Sequence, residues 1–345
     1  MNIPNRGKER IFSCINGEDP DQIPIIAPYS GHFFCAHSHL KTPDLYSSID
    51  KLVENQIALT KMCGFDGIEG IFDFLLLTEA CGSKVEMRDY GPLAVTEPIF
   101  SSVENFDLLE YPNLTDFDRH NNSMKLLDGI INNAGHDLFV YCTICGPLTL
   151  AGELRGLPSL FFDMIVEPGF VDKVVRFSES LIKELVDEIL QYEIDGVFIV
   201  DPTASGELTN EDQYLRFELR PVSQVISQIK TNHKVSSLHM CGRSTKQFES
   251  LISTNVDILN VDTPVKMAAL AKKLPGKTVL GNLDPSGSLT HGGKEQILHD
   301  CLRCLNEMNG YRYILGTGCG LIPETNFDNL LMLQEARDDF VKYRT

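Results

Sequence analysis

The chain has 345 residues, 43% of them hydrophobic, and a formal net charge of -18. The apolar fraction is enough for a large core. The acidity argues against nucleic acid, whose backbone needs a basic surface, and against anionic membranes; apolar runs such as 72–77 are far too short to span a bilayer.

Residues 1–10 lack the apolar core of a signal peptide. Ten cysteines without such a signal read as reduced thiols in a cytoplasm. Obvious repeats, low-complexity segments and Gly/Ser/Pro-rich linkers are absent, so residues 1–345 are expected to form a single domain. In chain order, short β-branched or apolar runs predict strands at 23–27, 67–71, 138–143, 196–200, 235–239, 258–261, 278–282 and 312–315. Segments with helical spacing lie between them. Residues 45–62 form one, and 171–192 another, with Val174, Val175, Leu181, Leu185 and Ile189 on one face. Eight such units predict an α/β fold, a (β/α)8 TIM barrel. The less regular stretch 83–132 reads as an elaborated connection after the second strand.

In such a barrel the carboxyl ends of the strands carry the site. Asp201 follows the fourth strand, His239 and Cys241 close the fifth, and Asp262 follows the sixth. Asn282 and Asp284 follow the seventh, and Cys319 follows the eighth within Gly316-Thr317-Gly318-Cys319-Gly320. Residues two apart on a strand share a face, so His239 and Cys241 can converge on one ion. One imidazole and two thiols suit Zn2+ in tetrahedral geometry and leave a fourth position for a substrate thiol. Cys142 and Cys145, with Gly146-Pro147 behind them, suggest a turn at the barrel mouth. Cys301 and Cys304 fall on one helical face with Ile297 and Met308. Both pairs read as structural.

Several pieces carry a resemblance. They are Cys145-Gly146-Pro147-Leu148-Thr149-Leu150-Ala151, Ala204-Ser205-Gly206, His239-Met240-Cys241-Gly242, Gly281-Asn282-Leu283-Asp284-Pro285 and Gly318-Cys319-Gly320-Leu321-Ile322-Pro323-Glu324-Thr325. Together the chain resembles the uroporphyrinogen decarboxylase superfamily, and within it the zinc-dependent methylcobamide:coenzyme M methyltransferases. The resemblance implies zinc on His239, Cys241 and Cys319, and methyl transfer from a methylated corrinoid to a small thiol such as coenzyme M. Asp262 is a candidate fourth ligand when substrate is absent, and equally a cap for the helix after the sixth strand. Asp201, Glu207 and Asn282 are candidates for the barrel mouth, where the cofactor would approach.

Proteins that bind cobalamin through a lower histidine show Asp-x-His-x-x-Gly. Asp118-Arg119-His120 begins that pattern, but Ser123 stands at the glycine position. The corrinoid is therefore expected on a separate protein that docks over the mouth. The decarboxylase branch needs N-terminal arginines for its tetrapyrrole carboxylates, and residues 25–34 contain none, which disfavours a uroporphyrinogen decarboxylase-type lyase. Two alternatives stay open: a donor-side demethylase that methylates the corrinoid protein, and a non-enzymatic zinc-binding barrel.

Overall fold

The structure is a computed structural model that describes residues 6–41, 48–89, 93–100, 106 and 111–342. Eight parallel strands form one sheet: β1 (Ile25–Ile26), β2 (Gly67–Ile71), β3 (Phe139–Cys145), β4 (Gly196–Val200), β5 (Val235–Met240), β6 (Ile258–Val261), β7 (Thr278–Leu283) and β8 (Tyr313–Thr317). Their order is β1-β8-β7-β6-β5-β4-β3-β2, with helices between consecutive strands. This is the (β/α)8 barrel that the alternating pattern predicts.

The seam between β1 and β2 is closed by a side chain. Asp66 N donates to Ile25 O at 2.8 Å, and Ile25 N donates back to Asp66 Oδ2 at 2.7 Å. The device recurs before two further strands. Asp195, just before β4, exchanges the same two bonds with Val140 of β3 at 2.8 and 2.9 Å. Asp257, just before β6, does so with Ser236 of β5 at 3.1 and 2.9 Å. Each carboxylate meets a cation: Arg10 at 2.9 Å, Lys8 at 2.7 Å and Lys230 at 2.7 Å respectively. Phe65-Asp66-Gly67 and Ile194-Asp195-Gly196 are thus a short structural recurrence within a chain that has no longer repeat.

Two cores result. The inner one fills the barrel with Ile26, Tyr141, Phe198, Ile258, Leu280 and Ile314, and is plugged by Ile11 and Cys14 of the helix Gly7–Asn16. The outer one packs the strands against the helices. Cys142 and Cys145 belong to this outer core and lie inside β3, so the expected turn at the mouth is replaced by two more residues of strand. Ile297, Cys301 and Cys304 of the helix Lys294–Glu307 are buried together with Met308, as the face pattern predicts.

The connection after β2 is elaborate, as expected. It contains the helix Leu76–Ala80, an antiparallel pair Lys84–Glu86 and Ala94–Glu97, and a short 3-10 turn. Parts of the predicted stretch, 90–92, 101–105 and 107–110, lie outside the described residues, as do 45–47 of the predicted helix that is observed as Ile49–Met62.

The stretch also hides a full barrel helix, Asp118–Ala134. Its polar opening masks it in sequence, because Arg119 and His120 are buried by pairing rather than by apolarity. Arg119 Nη2 donates to Asp73 Oδ1 and Nη1 donates to Glu79 Oε2, both at 2.7 Å. His120 Nε2 lies 2.7 Å from Glu188 Oε2. Among the described residues no helix is long and apolar enough to cross a membrane.

Candidate metal centre

The carboxyl end of β5 delivers His239, and the next turn delivers Cys241. Three bonds fix that turn: Ser205 Oγ and Ser244 Oγ donate to Cys241 O at 2.8 and 2.7 Å, and Gly242 N donates to Asp262 Oδ2 at 2.7 Å. Gly242 has a φ of +64°, a left-handed conformation that favours glycine, and a Cβ there would meet Glu207 Cδ at 2.7 Å. The end of β8 brings Cys319 to the same place.

His239 Nε2 lies 3.3 Å from Cys241 Sγ, and Cys241 Sγ lies 3.9 Å from Cys319 Sγ. One ligand atom from each of the three residues lies within 4.8 Å of the others. Tetrahedral zinc with ordinary bond lengths requires roughly 3.8 Å between sulfurs and roughly 3.5 Å between nitrogen and sulfur. The donor set therefore fits the ion in kind and in spacing. His239 Nδ1 donates to Asn260 O at 3.2 Å, which leaves the Nε2 lone pair facing the thiols. Asn260 is itself pinned, its Nδ2 donating to Leu280 O and Thr317 O at 3.1 and 3.2 Å.

The thiols are electrostatically unequal. The hydrogen bond from Cys241, with the nearby imidazole, pulls the Cys319 pKa down. Sharing that bond and losing solvent push Cys241 up. Two sulfurs and an imidazole nitrogen are a donor set that suits a soft cation.

The remaining candidates take other places. Asp262 stands outside the three-residue cluster. Its Oδ2 accepts from Gly242 N and its Oδ1 from Thr263 N, both at 2.7 Å, so it shapes the Cys241 turn and its own loop. The helix after β6, Met267–Lys273, has Lys266 at its N-cap and no side-chain cap, so the expected capping role is not filled by Asp262. Asp201 does not line the mouth. It is fully buried beneath the helix Pro147–Arg155, where Oδ1 accepts from Thr149 N at 3.0 Å and Thr149 Oγ1 at 2.6 Å. Negative charge at a helix N-terminus is favourable. The arrangement also explains the Gly-Pro-Leu-Thr piece, because a Cβ on Gly146 would meet Asp201 Oδ2 at 2.2 Å.

Asn282 is buried as well and serves the β6 loop, donating through Nδ2 to Val265 O at 2.9 Å. Glu207 is exposed on the rim beside Gly242.

Above the three candidate ligands opens a cavity of about 370 Å³ whose lining includes Tyr29, His32, Asp73, Glu153, Cys241 and Cys319. Four of these carry no sequence signal. Tyr29 sits with its ring 5.2 Å from that of His239, in a left-handed backbone conformation with φ of 58°. Its loop is tied to β2 by Glu69, whose Oε2 accepts from Ser30 N at 2.9 Å and Gly31 N at 3.1 Å, while Thr143 donates to Oε1.

Burial raises the Glu69 pKa from 4.5 to about 7, against these bonds. A folded pKa above the unfolded one contributes stability that is full below the unfolded value and lost as pH rises through the folded value. Glu69→Gln can keep both geometries by donating to Thr143. Relative to wild type it is expected to gain on the order of 3 kcal/mol of unfolding free energy between about pH 5 and about pH 8. Urea denaturation at both pH values checks this, and parallel curves for the two proteins would refute it.

Over 348 residues the chain is 24% identical to the Methylcobamide:CoM methyltransferase MtbA of Methanosarcina mazei, covering 96% of this chain and 98% of the relative. It is 25% identical over 308 residues to the Uroporphyrinogen decarboxylase of Rickettsia akari, covering 85% of this chain and 86% of that one. A solved methyltransferase from Methanosarcina mazei superposes with a TM-score of 0.87 at 19% identity, over 98% of this chain and 99% of the other, which shows a shared fold. The family described as Uroporphyrinogen decarboxylase (URO-D) matches residues 6–340, and the chain belongs to that family.

Proposed function

We propose that this chain is a methyltransferase that moves a methyl group between a corrinoid, carried by a separate protein, and a small thiol held at zinc on His239, Cys241 and Cys319. The observation that carries the reading is the convergence of one imidazole and two sulfurs within 4.8 Å at the floor of a cavity. Zinc bound there would lower the pKa of a substrate thiol and keep it as the nucleophilic thiolate near neutral pH.

The chain's own residues prepare the place. Asn260 sets the His239 tautomer, and Ser205, Ser244 and Asp262 hold the Cys241 backbone. Phe72, Phe74, Val200 and Leu321 line an apolar wall that excludes water from the thiol. A corrinoid macrocycle exceeds a cavity of about 370 Å³, so the methyl donor approaches from above. The chain offers no lower ligand of its own in the Asp118-Arg119-His120 segment, because His120 is 1% exposed and bound to Glu188.

Relatives include enzymes named for methyl transfer to CoM and others named uroporphyrinogen decarboxylase. The described lining of the cavity contains no Lys or Arg to hold tetrapyrrole carboxylates, which argues against the second. The test is methyl transfer from methylcobalamin to a panel of small thiols, with zinc-loaded protein. Turnover with at least one thiol supports the proposal. No turnover with any thiol, together with methylation of a corrinoid by a methylated small donor, would replace it with the donor-side demethylase.

A further inference from the structure

The charges around the cavity do not balance, and the imbalance identifies the substrate's tail. Asp73 is committed to Arg119, which also holds Glu79. The Thr149 hydroxyl donates to Asp201. Glu153 stands one helical turn after Thr149 on the same face of Pro147–Arg155, and both line the cavity. Its half-buried carboxylate has no hydrogen-bond or ion-pair partner among the described residues. Burial alone raises its pKa, as expected for a carboxylate lacking a cation.

The other uncommitted polar groups bring no positive charge. His32 has a buried Nδ1 without a partner, and burial lowers its pKa, so it is neutral at pH 7. The Tyr29 hydroxyl is also buried and unpartnered, in a residue 7% exposed. The rest of the wall is apolar and partly aromatic, with Phe72 and Phe74. Aromatic faces beside a carboxylate suit an ammonium group. An anionic tail would meet the Glu153 carboxylate in a poorly solvated space with no described Lys or Arg to offset it.

Resting on the thiol reading above, we propose that the cavity selects a small thiol whose tail is an ammonium group, with Glu153 as the counter-charge. His32 Nδ1 and the Tyr29 hydroxyl supply further polar contacts to that tail. Anionic thiols are disfavoured at this site. Glu153 is a specificity residue and touches neither the metal ligands nor the sulfur in this assignment.

The experiment uses protein loaded with cobalt(II), whose sulfur-to-metal absorption reports a thiol joining the centre. Three thiols of equal chain length are titrated: 2-aminoethanethiol, 2-mercaptoethanol and 2-mercaptoethanesulfonate, each corrected for its own thiol pKa. In wild type the aminothiol is expected to bind at least about tenfold more tightly than the sulfonate. Glu153→Gln is expected to bring the two within about threefold while the neutral thiol changes little.

Equal or tighter binding of the sulfonate by wild type overturns the inference and leaves the thiol site standing. An unchanged cationic preference in Glu153→Gln removes the role given to Glu153. If none of the three thiols alters the absorption, the thiol reading itself fails, and that outcome is distinct from binding in the wrong order.

Discussion

Cys319→Ala is expected to purify with little zinc, against about one per chain for wild type, and to lose methyl transfer by more than about 100-fold. Replacing a group that merely orients a ligand typically costs 10–100-fold, and Cys319 is placed as a ligand itself. It is also the thiol whose pKa is drawn down by Cys241 and by the imidazole. Its loss removes one of the two sulfur donors. Cys241→Ala and His239→Ala are expected to match it.

Cys145→Ala serves as the control. That thiol is buried in the outer core and its pKa is pushed up by burial, so zinc and turnover are expected to persist. Metal analysis of the four variants decides the matter, and full zinc in Cys319→Ala removes that residue from the site. Because Cys241 must lose its proton on binding, zinc affinity is expected to fall as pH is lowered.

The second large effect is at the fourth position. Adding a thiol that the protein accepts is expected to place one new sulfur at about 2.3 Å from zinc by X-ray absorption, and to release protons near neutral pH. A free thiol has a pKa near 8.5 and is mostly protonated there, so proton release on binding reports formation of the thiolate. The three candidate ligands His239, Cys241 and Cys319 leave room for this, and both carboxylate oxygens of Asp262 are held by Gly242 N and Thr263 N. Should no thiol in a broad panel enter the zinc shell, the acceptor role is lost and the donor-side demethylase becomes the better account.

The barrel was legible in sequence because its strands are buried on both faces. Runs such as Gly196–Val200 are continuously apolar and bounded by turns, and the helix Pro168–Ile189 repeats its apolar face over six turns. Strand ends were less legible. β3 continues through Cys145, where the Gly-Pro behind it suggested an earlier turn, because Gly146 N still pairs with Val200 O at 2.8 Å. The helix Asp118–Ala134 escaped notice because its first turn buries polar side chains, and the partner of such a group stands anywhere along the chain: Asp73 for Arg119, Glu188 for His120.

The site divides in the same way. β5 ends at Met240 and the turn beyond it delivers Cys241, but the expectation that the three residues meet rests on a strand period of two and on the order of strands round a barrel. These are properties of local spacing, so the sequence alone determined them, along with the fold class. The identity of the groups that support and select was decided only by the tertiary structure. Asp201, Asp262 and Asn282 spend their polar atoms on backbone amides and carbonyls of distant loops. Glu153 becomes notable only because the surrounding wall brings it no cation. Backbone groups are the same at every residue and an absent partner leaves no mark on composition, so neither kind of role has a pattern that a one-dimensional reading can detect.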